Sequence, residues 1–266
     1  LMLKKLLIYA LLSANVVIAN DDFVVVQSTT STLNSGLYDH ILPIYKNKSG
    51  INVKVVAVGT GQALKNAKQC DGDVLIVHAK NREIDFVNDG YGIERKDLMH
   101  NDFVIIGPKN DPAEIKTLSN VSSVFRSFFD NKNKFISRAD DSGTHILEKE
   151  LWVSSNINPE NYSGKWYLEA GAGMGATITI AVNMNAYTIS DRATWVAYKN
   201  KQNHEILFSG DKKLFNQYGV ILVNPSHCPN VRLTRAKHFR DWLLSENGKK
   251  AISSHKVNGI QLFYPN

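Results

Sequence analysis

Short apolar runs alternate with polar, glycine-punctuated stretches along most of the chain. Phe23-Val24-Val25-Val26-Gln27 is of strand type, and the polar run Ser28-Thr29-Thr30-Ser31-Thr32 opens a helix-like stretch towards Lys48, which Pro43 is expected to kink or to end in its first part. Val53-Lys54-Val55-Val56-Ala57-Val58 leads into Gly59-Thr60-Gly61-Gln62 and a helix to about Gln69. Asp73-Val74-Leu75-Ile76-Val77-His78-Ala79 predicts a buried strand followed by a helix over Arg82 to Asn88, and Phe103-Val104-Ile105-Ile106 predicts a strand that closes with Gly107-Pro108. Lys134-Phe135-Ile136-Ser137 runs into Asp141-Ser142-Gly143-Thr144 and a helix through Trp152. Trp166-Tyr167-Leu168-Glu169 runs into Gly171-Ala172-Gly173-Met174-Gly175 and a helix to about Asn183. Tyr218-Gly219-Val220-Ile221-Leu222-Val223 is a late strand, and Thr234 to His255 a closing helix. Strand–helix alternation of this kind argues for the α/β class with parallel sheets.

Two polar, turn-rich stretches interrupt the alternation: Gly107-Pro108-Lys109-Asn110-Asp111-Pro112 and Asn200-Lys201-Gln202-Asn203-His204. If both cross between lobes, residues 21–107 plus 206–266 form lobe I and residues 112–204 form lobe II. A cleft then lies between two sheets, a common position for a ligand. The start of the chain reads differently. Lys4-Lys5, the apolar run Leu6 to Leu12 and the small-residue end Val17-Ile18-Ala19 describe a secretory signal peptide over residues 1–19, too short and interrupted for a membrane span. No Leu-x-x-Cys site lies near the expected cleavage point, which argues against a lipid anchor on cysteine. The mature protein is then expected to be soluble outside the cytoplasm.

Composition narrows the classes without naming a function. A chain of 266 residues with 43% hydrophobic and 21% charged positions is ordinary globular usage, which excludes disordered, collagen-like and coiled-coil readings. Cys70 and Cys228 are too few and too far apart for a disulfide framework or a four-ligand zinc cluster, and an exported protein leaves a single bridge between them open. The formal charge of +6 falls to +4 once Lys4 and Lys5 are removed, and the basic residues are scattered, so a nucleic-acid partner is not expected.

The candidate chemistry lies at four strand-to-helix junctions. Each is rich in glycine or hydroxyl side chains where a helix should begin. Helix starts expose unpaired N–H groups and the positive end of the helix dipole, and both favour anions. Ser and Thr hydroxyls add neutral donors, although at any single junction plain helix capping explains them as well. Junctions of this type line up at the carboxyl ends of strands, facing one cleft. Arg138, in Ser137-Arg138-Ala139-Asp140-Asp141-Ser142-Gly143-Thr144, adds a planar fork of donors suited to a tetrahedral oxyanion, with Asp140 or Asp141 placed to hold it.

With these residues assembled, the chain resembles the periplasmic tungstate-binding proteins of ABC importers, the TupA type, within the wider phosphate/molybdate-binding superfamily. The resemblance covers essentially the whole mature chain. It rests on Ser28-Thr29-Thr30-Ser31, Val58-Gly59-Thr60-Gly61-Gln62-Ala63-Leu64, Ser137 to His145, Gly173-Met174-Gly175-Ala176-Thr177 and Ala186-Tyr187-Thr188-Ile189-Ser190-Asp191-Arg192. It implies a two-lobed periplasmic-binding-protein fold of type II, each lobe a mixed, mostly parallel sheet flanked by helices. It also implies a cleft that closes on one oxyanion and then docks on a membrane permease with its ATPase. One departure stands out: the family often has Gly where Ala139 stands.

Phosphate-binding relatives place an acceptor carboxylate at a strand end of the first lobe, which selects an oxyanion that still carries a proton. The comparable strand here ends Ile76-Val77-His78-Ala79, without a carboxylate, and so suits a fully deprotonated dianion such as tungstate, molybdate or sulfate. His78 is either a donor to that ligand or a packing residue. The expected oxyanion donors are Thr29, Thr30, Ser31, Thr60, Gly61, Arg138, Ser142, Gly143, Thr144 and Thr177. No metal and no cofactor is expected, the ligand being tungstate or molybdate, and the protein is expected to be a monomer.

Enzymatic readings fare worse. Asp141-Ser142-Gly143-Thr144 matches the aspartic-protease signature, but that chemistry needs two such carboxylates and the chain has one copy. Gly171 to Ala176 fits the loose dinucleotide pattern G-x-G-x-x-A with Asp191 about twenty residues on, but late in an exported chain. No G-x-S-x-G elbow occurs, and His145 with Glu148 on one helix face would make a metal pair without further ligands. The remaining rivals are a binding protein for molybdate, sulfate or phosphate, and a sensor or adhesin that uses the fold without a permease.

Overall fold

The structure is a computed structural model that describes residues 22–266; the expected signal peptide over 1–19 lies outside the described residues. Strand β1 (Phe23–Thr29) pairs in parallel with β2 (Asn52–Val58) and with β3 (Val74–Val77). Helices α1 (Thr30–Asn34), α2 (Leu37–Ser49), α3 (Thr60–Lys68) and α4 (Lys80–Asn88) follow these strands in the βα order that the alternation predicts. The break between α1 and α2 falls at Gly36, which has φ +77, and not at Pro43, which sits inside α2. Only glycine takes that left-handed turn without strain.

Two long strands join the lobes. β4 (Gly92–Pro108) runs 17 residues and pairs antiparallel with β9 (Phe215–Val223), while β9 pairs antiparallel with β3. At its far end β4 pairs antiparallel with β7 (Thr188–Asp191) and β8 (His204–Phe208). The second lobe adds α5 (Val121–Asn131), the parallel pair β5 (Phe135–Ser137) and β6 (Tyr167–Glu169), α6 (Gly143–Ser154), α7 (Met174–Met184) and α8 (Arg192–Ala197). The chain ends in α9 (Leu233–Leu244) and α10 (Glu246–Ser254), with β10 (Lys256–Val257), β11 (Ile260–Gln261) and β12 (Tyr264–Pro265) closing it. The single closing helix expected from Thr234 to His255 is therefore two, because the Ser245 side chain caps a fresh start by accepting the Gly248 amide.

The cores show where the chain crosses. Val74 and Ile76 face one side of the first sheet with Tyr45, Tyr218 and Phe239, while Leu75 and Val77 face the other with Leu64, Phe86 and Ile221. This is the two-residue period of a strand buried on both faces. Leu98 and Met99 still belong to that first lobe, whereas Phe103 and Ile105 pack with Phe125, Phe128, Phe135, Trp152 and Tyr167 in the second. Leu207, Phe208 and Leu214 also lie in the second core. Both boundaries drawn at the turn-rich stretches are therefore corrected: the crossing is the extended strand pair in which Asn101 faces Asn216 and Asp102 faces Phe215. Turn residues were a poor guide because the chain changes lobe without turning. A disulfide joins Cys70, just past α3, to Cys228, beyond β9. Among the described residues no helix is long and apolar enough to cross a membrane.

Candidate functional site

Arg138 is the residue after β5, and the chain must turn at once to start α6. It does so through two left-handed residues, Ala139 (φ +48) and Asp141 (φ +55), which bring Asp140 back over the arginine. Arg138 Nη2 donates to Asp140 Oδ2 at 2.5 Å, while Asp140 Oδ1 accepts the Ser142 amide at 3.2 Å. Asp140 is thus the carboxylate that holds the guanidinium; Asp141 turns away to Arg82. The guanidinium is 1% exposed. Its Nη1 lies 3.2 Å from Ser31 Oγ and 3.4 Å from Thr144 Oγ1, and its Nη2 lies 3.4 Å from Thr30 Oγ1. Its Nε has no protein partner. Burial pulls Arg138 below the ordinary guanidinium value, and the Asp140 charge acts in the opposite direction.

The starts of α1, α3, α6 and α7 meet around this side chain. Thr60 Oγ1 accepts the Gly143 amide at 3.1 Å, joining the α3 start to the α6 start across the cleft. A Cβ on Gly173, which caps α7, would sit 3.4 Å from Thr30 Oγ1, and one on Gly59 would sit 3.1 Å from the Asp140 carbonyl. Thr29, Ser31, Thr60, Arg138, Ser142, Thr144 and Thr177 are all buried. Both glycines have ordinary extended backbone, φ −66 at Gly59 and −64 at Gly173, so what glycine supplies is room: a Cβ on Gly59 would crowd the Asp140 carbonyl, whereas one on Gly173 would come only to the edge of ordinary contact with Thr30.

The expected donors do not all have a free donor atom. The Gly61 amide donates to the Asp141 carbonyl at 3.2 Å, and the Gly143 amide to Thr60. In this structure both amides bind protein and link the two lobes, so neither is free here to donate to an anion. The Thr177 hydroxyl donates to the Ala172 and Gly173 carbonyls at 3.2 and 3.1 Å, so its proton is engaged by the protein in this structure. Thr29 caps α1: its Oγ1 accepts the Thr32 amide and shares a 2.8 Å hydrogen bond with Thr32 Oγ1, so unlike Ser142 its hydroxyl is engaged on both counts within α1 in this structure. Ser142 caps α6 by accepting the His145 amide, which leaves its own O–H to donate. Arg138, Thr30, Ser31, Thr60, Ser142 and Thr144 remain as the set that can face an anion.

Three further groups complete the surroundings. His78 stacks on Tyr218 with 4.7 Å between ring centroids, and its Nδ1 lies 3.0 Å from Asn216 Oδ1 in the strand pair that joins the lobes. Burial pushes its pKa down to about 4, so its ring is neutral at physiological pH; its Nε2 has no partner. Asp191 ends β7 and caps α8, accepting the Thr194 amide on Oδ1 at 2.8 Å, and its Oδ2 is buried without a partner. Burial pushes this carboxyl above its ordinary range, against the Thr194 contact and the Arg138 charge. It brings to the region an acceptor that the strand end at residues 76–79 does not supply. Nothing but its place at a helix start signals this in the sequence. Glu148 is fully buried and accepts from Ser137 Oγ, Tyr167 OH and Trp152 Nε1 at 2.9, 2.9 and 3.2 Å. It ties α6 to the base of Arg138.

Neither metal arrangement suggested by residue type is available. Glu148 spends its carboxylate on three donors, and His145 Nδ1 accepts the Asp141 amide at 3.1 Å. Cys70, His227 and Cys228 come together, but the disulfide removes the thiolates a metal would need.

The comparisons with known proteins bear on the family of the chain. Residues 18–247 match the family model described as PBP superfamily domain. The tungstate-binding protein TupA of Peptoclostridium acidaminophilum is 45% identical over 247 residues, covering 91% of this chain and 85% of that protein. TupA of Campylobacter jejuni is 40% identical over 237 residues, covering 88% of this chain and 87% of that protein. Among solved structures, the tungstate-binding protein TupA of Desulfovibrio alaskensis superposes with a TM-score of 0.78 at 42% identity, over 92% of this chain and 99% of that one. The tungstate ABC transporter structure from Geobacter sulfurreducens gives 0.80 at 45% identity, over 88% of this chain and 98% of that one. The chain belongs to the PBP superfamily and, within it, to the family of the tungstate-binding proteins TupA.

Proposed function

We propose that this protein is the substrate-binding component of an ABC importer, which captures tungstate as its tetrahedral dianion between the lobes and hands it to a membrane permease driven by an ATPase. The observation that carries this reading is the buried Arg138 guanidinium, enclosed by hydroxyls from the α1 and α6 starts and left with an unpartnered Nε. Removing a dianion from water forfeits a large hydration energy, so nearly every oxygen must meet a donor. Arg138 supplies charge; Thr30, Ser31, Thr60, Ser142 and Thr144 supply neutral hydroxyls; the helix dipoles supply a field of the right sign. The ligand is held whole, with no bond made or broken, and the relatives are binding proteins of transporters; the protein is a receptor without resident cofactor and not an enzyme. It acts as a monomer in the periplasm, where an oxidising environment suits the Cys70–Cys228 bridge and to which residues 1–19 would direct it.

Competition among anions tests the ligand. Thermal shift with tungstate, molybdate, sulfate and phosphate at equal concentration should show the largest stabilisation with tungstate, since a ligand that binds only the folded state raises stability in proportion to ln(1 + [L]/Kd). Tungstate and molybdate share charge and shape, so molybdate should follow closely and sulfate and phosphate trail. Phosphate or sulfate displacing tungstate at equal concentration would refute the assignment.

A further inference from the structure

The lobes also meet outside the ring of donors. Arg82, on α4 of the first lobe, gives Asp141, in the loop before α6 of the second, a two-pronged ion pair: Nη1 to Oδ2 at 2.8 Å and Nη2 to Oδ1 at 2.7 Å. The same residue accepts the Gly61 amide on its carbonyl and donates its own amide to His145 Nδ1. Gly61 leaves the carboxylate its room, because a Cβ there would lie 2.1 Å from Asp141 Oδ2 and 3.1 Å from Arg82 Nη1. Both side chains face water, at 40% and 55% exposure. Open grooves flank the pair, one lined by His78, Asn81 and Ile146, the other by Leu64, Lys65 and Asp85. Neither partner therefore serves the core of its own lobe, and a carboxylate held by one lobe and a guanidinium held by the other can pair only when the cleft is shut.

We propose that Arg82 and Asp141 form a latch: a positioning pair that makes no contact with the ligand and sets how long the cleft stays closed over a bound oxyanion. The inference rests on the oxyanion-receptor reading above. The bidentate geometry raises the pair above an ordinary surface contact, and its exposure makes it sensitive to salt. Because the contact forms as the lobes close and breaks as they open, its loss acts on release more than on capture.

The test is stopped-flow measurement of tungstate association and release for the wild type, Arg82→Gln, Asp141→Asn and the double variant. Each single variant should release tungstate about 3- to 10-fold faster, with association within about twofold of wild type. The double variant should release no faster than the faster single variant, because the two substitutions remove one interaction. At about 1 M salt the wild-type release rate should approach that of the variants. Single variants that release at the wild-type rate, or effects that multiply in the double variant, overturn the latch while leaving the receptor reading intact. A wild type that binds no tungstate overturns both.

Discussion

At Ala139 the backbone is left-handed, with φ +48, a conformation that a residue with a Cβ adopts at a cost of about 1–2 kcal/mol. The resemblance drawn from the sequence implies Gly at this position, and the turn it makes is what folds Asp140 back onto Arg138. Ala139→Gly should therefore stabilise the ligand-free protein by about 0.5–1 kcal/mol, the relief of strain exceeding the extra freedom of glycine in the unfolded chain. Chemical denaturation checks this, and a destabilised glycine variant would show that the loop does not need its left-handed turn. The resemblance draws attention to this position, but only the backbone angle says why glycine would suit it. Other single residues were legible in part. Arg138, with its fork of donors and following acids, stood out from residue type alone. Thr177 did not declare itself, because a threonine in a first helical turn either faces a ligand or bonds the preceding carbonyls, and the sequence is the same in both cases. Asp191 was missed for a related reason: an aspartate before a helix looks like a cap, which it is, and nothing local reveals its second, unpartnered oxygen.

Helix α6 is fastened to β5 and β6 by one buried carboxylate. Glu148 accepts from Ser137 and Tyr167 on those strands, yet burial outweighs these contacts and pushes its pKa up to about 7. A carboxyl whose pKa rises on folding gives stability that is complete below its unfolded value near 4.5 and is lost as pH climbs through about 7. The sign is opposite for His78, whose pKa of about 4 in the fold makes acid destabilising. Thermal melts of Glu148→Gln beside the wild type, from pH 5 to 8, isolate the first effect. The wild type should lose about 2–3 kcal/mol relative to the variant over that range, and parallel curves would contradict a raised Glu148. At this scale the sequence was informative wherever apolar runs met glycine or hydroxyl clusters, which is why the helix starts around Arg138 could be expected before their contacts were known. It was silent on the first half of β4, where Glu94-Arg95-Lys96-Asp97 breaks the apolar period; Arg95 there pairs with the buried Glu83 at 2.8 Å. It also concealed the break at Ser245, since a serine cap inside a helical period leaves the pattern unchanged.

For the whole molecule, the lobes are joined by two strands and linked by contacts that mostly belong to the site itself. Lobe number and cleft followed from alternation and resemblance. The crossing points did not, because an extended strand pair carries no compositional mark of a hinge, and Leu207, Phe208 and Leu214 reveal their lobe only through the core they enter. The central claim is that a dianion sits between the lobes on one guanidinium and several hydroxyls. Calorimetric titration of tungstate into the wild type, Arg138→Ala and Thr30→Ala tests it most directly. Losing the arginine removes charge as well as hydrogen bonds and should cost about 2–5 kcal/mol, whereas losing one hydroxyl should cost about 1–3 kcal/mol. Weaker binding in Arg138→Ala than in Thr30→Ala is the predicted order; an Arg138→Ala protein that binds tungstate as well as the wild type does, or better than Thr30→Ala, would contradict the account.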